Sequence, residues 1–193
     1  MITQIKRNIA LRATERGIKY LIHFTQTENL PCIQTYGLRA RQDLENSQIF
    51  FHFNDVQRFD GFPNAISLSV TFPNYKMFYS LRQRDKSTQW AIILLDAYEL
   101  LSNCDCAFHA TNAANNRMRF TPLENRMTLA AFESMFYDDE LRKARSLEDN
   151  EPTDPQAEIL CFNPIPTKFF KDIAFDGEMF SYRHDWSYWE KNR

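Results

Sequence analysis

A carboxylate stands at the mouth of a predicted buried strand late in the chain. The segment DPQAEILCF begins at Asp154, and its Ile-Leu-Cys-Phe run, directly after Glu158, is typical of a buried strand. Two interpretations fit: Glu158 is the last solvated residue of the loop, or the strand edge holds it for chemistry. In the second case its charge suits the stabilisation of positive charge that develops on a substrate.

A second polar signal lies inside a predicted strand near the start of the chain. In YLIHFTQ, which begins at Tyr20, His23 and Thr25 project from one face because side chains alternate along a strand. Polar side chains on such a face need hydrogen-bond partners, either in the protein core or on a ligand. The pattern leaves both interpretations open.

Two further signals are weaker. Arg58 lies in the turn-rich stretch DVQRFDGFPN before a predicted strand, a position that is also typical of a surface arginine. Tyr75 and Tyr79, in FPNYKMFYSLR, are one helical turn apart and share a face. Such a pair is as typical of a core stripe as of an aromatic platform for a ligand.

Apolar patterns predict the elements that must position these residues. Strands are predicted at YLIHF (20–24), AISLSV (65–70), WAIILLDAYEL (90–100), AEILCFN (157–163) and KDIAF (171–175). Helices are predicted over 4–16, from an N-cap at Thr27 to a stop at Gly37, after Pro73, and in part of 128–146. Strands interspersed irregularly with helices and long loops predict an α+β fold. No linker composition divides the chain, so residues 1–193 are expected to form a single domain.

Composition argues against several classes of site. A net charge of -2 gives no global attraction to nucleic acid, and four glycines provide no Gly-rich nucleotide loop. The four cysteines, at 32, 104, 106 and 161, lack disulfide or zinc spacing, so we expect reduced thiols and no metal. No apolar run approaches the roughly twenty residues of a membrane span or forms the core of a signal peptide. We therefore expect a cytoplasmic protein without a membrane partner.

Taken in order, LIHFTQTENLPCIQTYGL, FPNYKMFYSLR and DPQAEILCF resemble the DarT family of nucleic-acid ADP-ribosyltransferases, which are toxins of bacterial toxin–antitoxin pairs. The resemblance runs from about Tyr20 to Phe175 and is weakest over 103–150. It implies an ADP-ribosyltransferase-like fold, with a split mixed β-sheet core, peripheral helices and NAD in the cleft. It also implies transfer of ADP-ribose from NAD, consumed as a co-substrate, onto a base of single-stranded DNA with release of nicotinamide. A macrodomain antitoxin that removes the ADP-ribose is the implied partner, and we expect the enzyme itself to be a monomer.

The resemblance also assigns cofactor-binding residues by position. His23 and Thr25 match the family's His-x-Thr motif, and Phe24 between them offers its backbone to the nicotinamide amide. Tyr79 matches the aromatic residue that packs against the nicotinamide ring. Arg58 matches a catalytic arginine that also binds NAD.

Glu158 matches the family's catalytic glutamate. Breaking the nicotinamide–ribose bond produces an oxocarbenium-like centre, so a carboxylate near that sugar stabilises developing charge and can hold a ribose hydroxyl. Arg58 assists only indirectly, by holding NAD or polarising the base, unless its pKa is strongly displaced.

The acceptor is expected to contact the loop HATNAANNRMRF (109–120). Arg117 and Arg119, interleaved with amides and a phenylalanine, suit single strands, although a solvated surface loop has the same composition. The near alternative is an ADP-ribosyltransferase that acts on RNA or protein. A non-catalytic nucleic-acid-binding module is the alternative from another class.

Overall fold

A computed structural model describes residues 2–53, 60–115 and 120–175 of the 193-residue chain. The strands are β1 (Tyr20–Gln26), β2 (Ile66–Val70), β3 (Trp90–Asp96), β4 (Cys106–His109), β5 (Glu158–Cys161) and β6 (Phe170–Phe175). The helices in these ranges are α1 (Ile2–Glu15), α2 (Leu30–Tyr36), α3 (Arg41–Asn46), α4 (Tyr75–Arg84), α5 (Ala97–Asn103), α6 (Leu123–Arg126), α7 (Leu129–Ser134) and α8 (Asp139–Ala144). None of these helices has the length and apolar character needed to cross a membrane.

The six strands form one sheet in the order β4-β5-β2-β1-β3-β6. All five neighbouring pairs in this order are antiparallel, where the family resemblance implied a mixed sheet. The α+β class predicted from the sequence is confirmed. The strongly apolar β3 lies inside the sheet between β1 and β6, as its composition requires.

Helices bury both faces of the sheet. On one face, Ala10 and Ala13 of α1 and Phe132 of α7 join the largest core cluster, together with apolar residues of five strands and α5. On the other face, Phe78 and Leu81 of α4 pack against β1 and β3. The sequence pattern predicted α1 and α4 correctly because each helix buries an apolar stripe.

Two predicted boundaries were wrong for local reasons. Thr27 was expected to cap a helix, but residues Thr27–Asn29 form a 3₁₀ turn and α2 begins at Leu30, with a proline in its first turn. Proline is well suited to that position because its missing N–H is not needed there. The strand expected over 90–100 stops at Asp96, whose side chain accepts a hydrogen bond from the Glu99 backbone N–H and starts α5.

The sheet splits between β1 and β2. The two strands pair only at Leu21 with Val70 and at Ile22 with Ser69, whereas β1 pairs with β3 along its whole length. Continuing the register would place Phe24 opposite Ser67, but that ladder is not formed. The sheet therefore opens a gap at its centre, where strand backbone and strand side chains both face a ligand-sized space.

Candidate active site in the split of the sheet

A cleft occupies the split and extends under the segment that follows α3. It encloses about 1300 Å³ when its open side is included. The residues that line it include Ile22, His23, Phe24, Thr25, Asn29, Arg39, Arg41, Phe51, His52, Phe53, Asp60, Ser67, Asn74, Met77 and Glu158. We call this space the β1–β2 cleft. It brings together two distant parts of the sequence that were expected to act together: the consecutive residues His23, Phe24 and Thr25, and Glu158.

His23 lies where β1 and β2 stop pairing, and its side chain is hydrogen-bonded to β2. Its Nδ1 lies 3.0 Å from the backbone carbonyl oxygen of Ser67. Because a carbonyl only accepts, Nδ1 carries a proton, and Nε2 is the acceptor nitrogen in the neutral tautomer. Nδ1 thus has a protein partner, and the cofactor contact predicted for this ring falls to Nε2.

The backbone of Phe24 faces the cleft. The Thr71 N–H donates to the Tyr20 carbonyl on the β2 side, and alternate strand residues direct their backbone groups to the same side. Phe24 lies four residues after Tyr20, so its backbone N–H and carbonyl also point toward β2, into the split. The Phe24 ring projects from the face of the sheet that α4 covers, and it packs there against Phe78 and Trp90, at centroid distances of 5.0 and 6.3 Å.

Thr25 is tied to the cleft wall through Asn29. The buried Asn29 side chain donates from Nδ2 to Thr25 Oγ1 at 2.9 Å and to the His52 carbonyl at 2.7 Å. Its Oδ1 accepts from the His52 N–H at 2.8 Å. One amide thus satisfies both backbone groups of His52 and fixes the 51–53 segment against β1.

Glu158 is the first residue of β5, opposite His109 of β4. Its Oε2 accepts a hydrogen bond from the Ala113 backbone N–H at 2.9 Å, so the carboxylate is oriented by the loop that follows β4. The side chain is only half-buried and lines the cleft. A carboxylate held by a backbone donor and open to a cleft is suited to electrostatic stabilisation of a developing cation.

A buried histidine and arginine support the strand that carries Glu158. Fully buried His109 donates from Nδ1 to the Glu158 backbone carbonyl at 3.2 Å, and its Nε2 accepts from Arg126 Nη1 at 3.1 Å. The two partners require a neutral ring, and burial lowers the pKa of His109 to about 4, assisted by the charge of Arg126. Burial also lowers the pKa of Arg126, whose guanidinium lies 5.0 Å from the centre of the Phe62 ring.

Sequence reasoning missed Asn29, His109 and Arg126. The sequence pattern places His109 at the start of the 109–120 loop, whereas in the structure it is the last residue of β4. The available signal was the short apolar run CAF (106–108) before it, which is too brief to reveal which face is buried. Asn29 and Arg126 gave no signal, because an isolated amide or arginine is usually exposed.

Tyr79 does not line the cleft. It is 44% exposed on α4, whereas Phe78 and Leu81 of the same helix are buried in the core. Because of the helical period, Tyr79 lies on a different face of α4 from the buried residues, and Met77 of this helix lines the cleft instead. The contact expected between Tyr79 and the nicotinamide ring is therefore not supported by its position.

The remaining predicted site residues, Arg58, Arg117 and Arg119, lie outside the described residues. Phe53 and Asp60, at the two borders of the undescribed segment that contains Arg58, both line the cleft. Within the described ranges, His, Cys, Asp and Glu side chains form no group of three that could hold a metal ion.

Comparison with known proteins gives a family and one related structure. The family model described as DarT, ssDNA thymidine ADP-ribosyltransferase, matches residues 22–179. No protein of curated function matches the chain. The structure of Thermosipho africanus DarTG in complex with ADP-ribose is similar, with 13% identity and a TM-score of 0.49. The match covers 80% of this chain and 43% of that one, so this chain spans less than half the length of the solved protein.

Proposed function

We propose, from the premise that the chain belongs to the DarT family, that it transfers ADP-ribose from NAD to a thymidine base of single-stranded DNA. One observation carries the proposal: His23, Phe24, Thr25 and Glu158 all line the β1–β2 cleft. Glu158 is far in sequence from His23–Thr25, and the family resemblance assigned both parts to the reaction with NAD.

NAD is proposed to lie in the split of the sheet. The Phe24 backbone faces the nicotinamide amide, which offers both a donor and an acceptor. Nε2 of His23 is an acceptor for a hydroxyl of the nicotinamide ribose, since Nδ1 donates to Ser67. The Thr25 hydroxyl already accepts from Asn29, so its own proton can be donated to the ligand.

Glu158 is proposed to act at the bond that breaks. The bond between nicotinamide and ribose C1′ cleaves, and its electron pair leaves with the nicotinamide nitrogen. The ribose becomes oxocarbenium-like, and the Glu158 carboxylate stabilises the positive charge. In thymidine the ring nitrogen that carries a proton is N3; as N3 bonds to C1′, its proton passes to solvent water. Arg58 is proposed to hold NAD and polarise the thymine.

The partners follow from the same proposal. The single strand is proposed to reach the cleft along the 109–120 loop, whose Ala113 N–H already contacts Glu158 and whose Arg117 and Arg119 provide cations. Single strands avoid the cost of flipping the base out of a duplex. We also propose that this toxin acts in the cytoplasm as a monomer and that a macrodomain antitoxin removes the ADP-ribose.

Transfer of labelled ADP-ribose onto defined oligonucleotides tests the proposal. The panel is a single-stranded DNA with one thymidine, the same strand with cytidine there, its duplex, and the RNA equivalent with uridine. We expect label on the first oligonucleotide, with release of nicotinamide. Equal labelling of the cytidine strand or preferential labelling of RNA would overturn the assignment of the acceptor. Label on the protein alone would overturn nucleic-acid transfer altogether.

A further inference from the structure

We propose that the ring of Phe50 is a stacking platform for the base next to the target thymidine. The inference rests on the proposed function and goes beyond it by naming where the flanking nucleotide binds. Phe50 is 80% exposed, although it directly precedes the 51–53 segment that lines the β1–β2 cleft. A single exposed phenylalanine is common on protein surfaces, so the inference depends on how this one is held.

The segment that carries Phe50 is clamped. Asn29 satisfies the N–H and the carbonyl of His52, as described above, and the Phe50 ring lies 5.0 Å from the His52 ring at 89°. The ring is therefore oriented by an edge contact while most of its surface remains in solvent. A ring that is fixed before binding loses little freedom when a base stacks on it.

The aromatic side chains of this segment divide their roles. Phe51 and Phe53 pack together at 5.8 Å, and Arg41 lies over the Phe53 ring at 4.5 Å. Both line the cleft, and Phe50 does not. His52 connects Phe50 to the cleft, because its ring contacts the Phe50 ring and also lines the cleft. A nucleotide beside the target base would thus meet Phe50 at the rim.

The cleft lining also includes an exposed cation that is suited to a backbone phosphate. Arg39 lines the cleft, is exposed, and donates from Nε to the Tyr36 carbonyl at 3.1 Å. In the described part of the chain it has no carboxylate within ion-pair distance, whereas Arg41 is paired with Glu45 at 2.7 Å. An aromatic ring and an unneutralised arginine beside one cleft are the recurring elements of single-strand binding.

A coupling experiment tests the platform without requiring catalysis. The affinity of a fluorescent single strand with one thymidine is measured by anisotropy without NAD, for wild type and for Phe50→Ala. Each protein is also tested with strands whose base on the 5′ or the 3′ side of the thymidine is an abasic site. Phe50→Trp tests rescue, and Tyr137→Ala is the matched control, since Tyr137 is 62% exposed and lies outside the cleft lining.

We expect Phe50→Ala to weaken binding of the intact strand by about 5- to 150-fold, the loss that one stacked base explains. Removing the base from one flanking position should cost wild type a similar factor and cost Phe50→Ala nothing more, because the two changes remove the same contact. Phe50→Trp should retain the affinity, and Tyr137→Ala should bind as wild type does.

Independent, multiplicative losses from the two changes, or no loss from Phe50→Ala, would overturn the platform. So would a fall in NAD affinity of Phe50→Ala with unchanged strand affinity, because it would assign the ring to the adenine of NAD. Transfer onto thymidine by wild type is measured separately. If wild type transfers ADP-ribose but the coupling is absent, the stacking inference fails and the proposed function stands. If the coupling is present but wild type does not transfer ADP-ribose, the proposed function fails and the stacking of Phe50 on a base stands.

Discussion

His23 donates its Nδ1 proton to the backbone carbonyl of Ser67 across 3.0 Å, at the place where β1 and β2 stop pairing. In a continued antiparallel ladder, that carbonyl would accept from the Phe24 N–H. A side chain thus occupies the position of a ladder hydrogen bond and contributes to holding the sheet apart. His23 is also one of the residues expected to contact NAD inside the cleft.

Two substitutions of His23 separate its two roles. His23→Ala should weaken NAD binding by about threefold to tenfold, the effect of one neutral hydrogen bond of about 0.5–1.5 kcal/mol, and should also lower the melting temperature. His23→Asn keeps a donor near Nδ1 but has no counterpart of Nε2, so it should recover the melting temperature and not the affinity. Calorimetry and thermal unfolding provide the two readouts. Wild-type NAD affinity in His23→Asn would assign the ring a purely structural role.

Asn29→Ala should loosen the cleft wall. The substitution removes three hydrogen bonds and leaves the backbone groups of His52 without their partner. We expect the free energy of unfolding to fall by about 1–3 kcal/mol and NAD affinity to fall with it. The control is Asn46→Ala at the exposed end of α3, which should change stability by no more than about 0.5 kcal/mol. Equal effects of the two substitutions in urea unfolding would contradict the clamp.

The buried His109 predicts a pH dependence of stability. Its pKa is about 4 in the folded chain and near its ordinary 6.5 when unfolded, so the unfolded state binds more protons between these values. Its contribution is therefore complete above pH 6.5 and is lost as pH falls toward 4. Between pH 8 and pH 5 the loss amounts to about 2 kcal/mol.

The variant His109→Asn tests this assignment. It retains a donor for the Glu158 carbonyl and no longer titrates, so its free energy of unfolding should change less between pH 8 and pH 5 than that of wild type. Urea unfolding across this range provides the comparison. Parallel curves for the two proteins would show that His109 is not the group responsible.

The two arginines of the 109–120 loop predict how oligonucleotide affinity depends on salt concentration. Replacing Arg117 and Arg119 with alanine should weaken oligonucleotide binding and flatten the slope of log K against log salt by up to about 1.4, since each phosphate contact on a single strand contributes about 0.7. NAD affinity should not change. A parallel fall in both affinities would indicate that the loop supports the fold, and no change in either would mean that the strand binds elsewhere.

Strands and amphipathic helices were predictable from the sequence because their patterns record burial. The alternation in AISLSV, the apolar run of β3 and the stripe on α4 all correspond to faces that pack in the core. Where Asp96 caps a helix within an apolar run, the pattern failed, because a single hydrogen bond decided the boundary.

The site was predictable only through residues that the family motif contains. His23 and Glu158 could be named because their types and order match that motif, but their meeting in one cleft depends on the sheet order, which brings β5 beside β2. Asn29 and Arg126 act through single long-range contacts, with His52 and His109 respectively. Such pairs leave no periodic trace in one sequence. Tyr79 is exposed because the face of α4 that carries Phe78 and Leu81 packs against the sheet.

Comparison of Glu158→Gln with wild type in single-turnover transfer tests the central claim most directly. Glutamine keeps the shape and an acceptor for the Ala113 N–H, and removes only the charge. We predict a transfer rate onto a thymidine-containing single strand lower by about 10²–10³, with unchanged melting temperature and NAD affinity within a few fold. Glu124→Gln, at an exposed position, should transfer at the wild-type rate. A folded Glu158→Gln protein that transfers ADP-ribose at a rate near that of wild type would contradict the account.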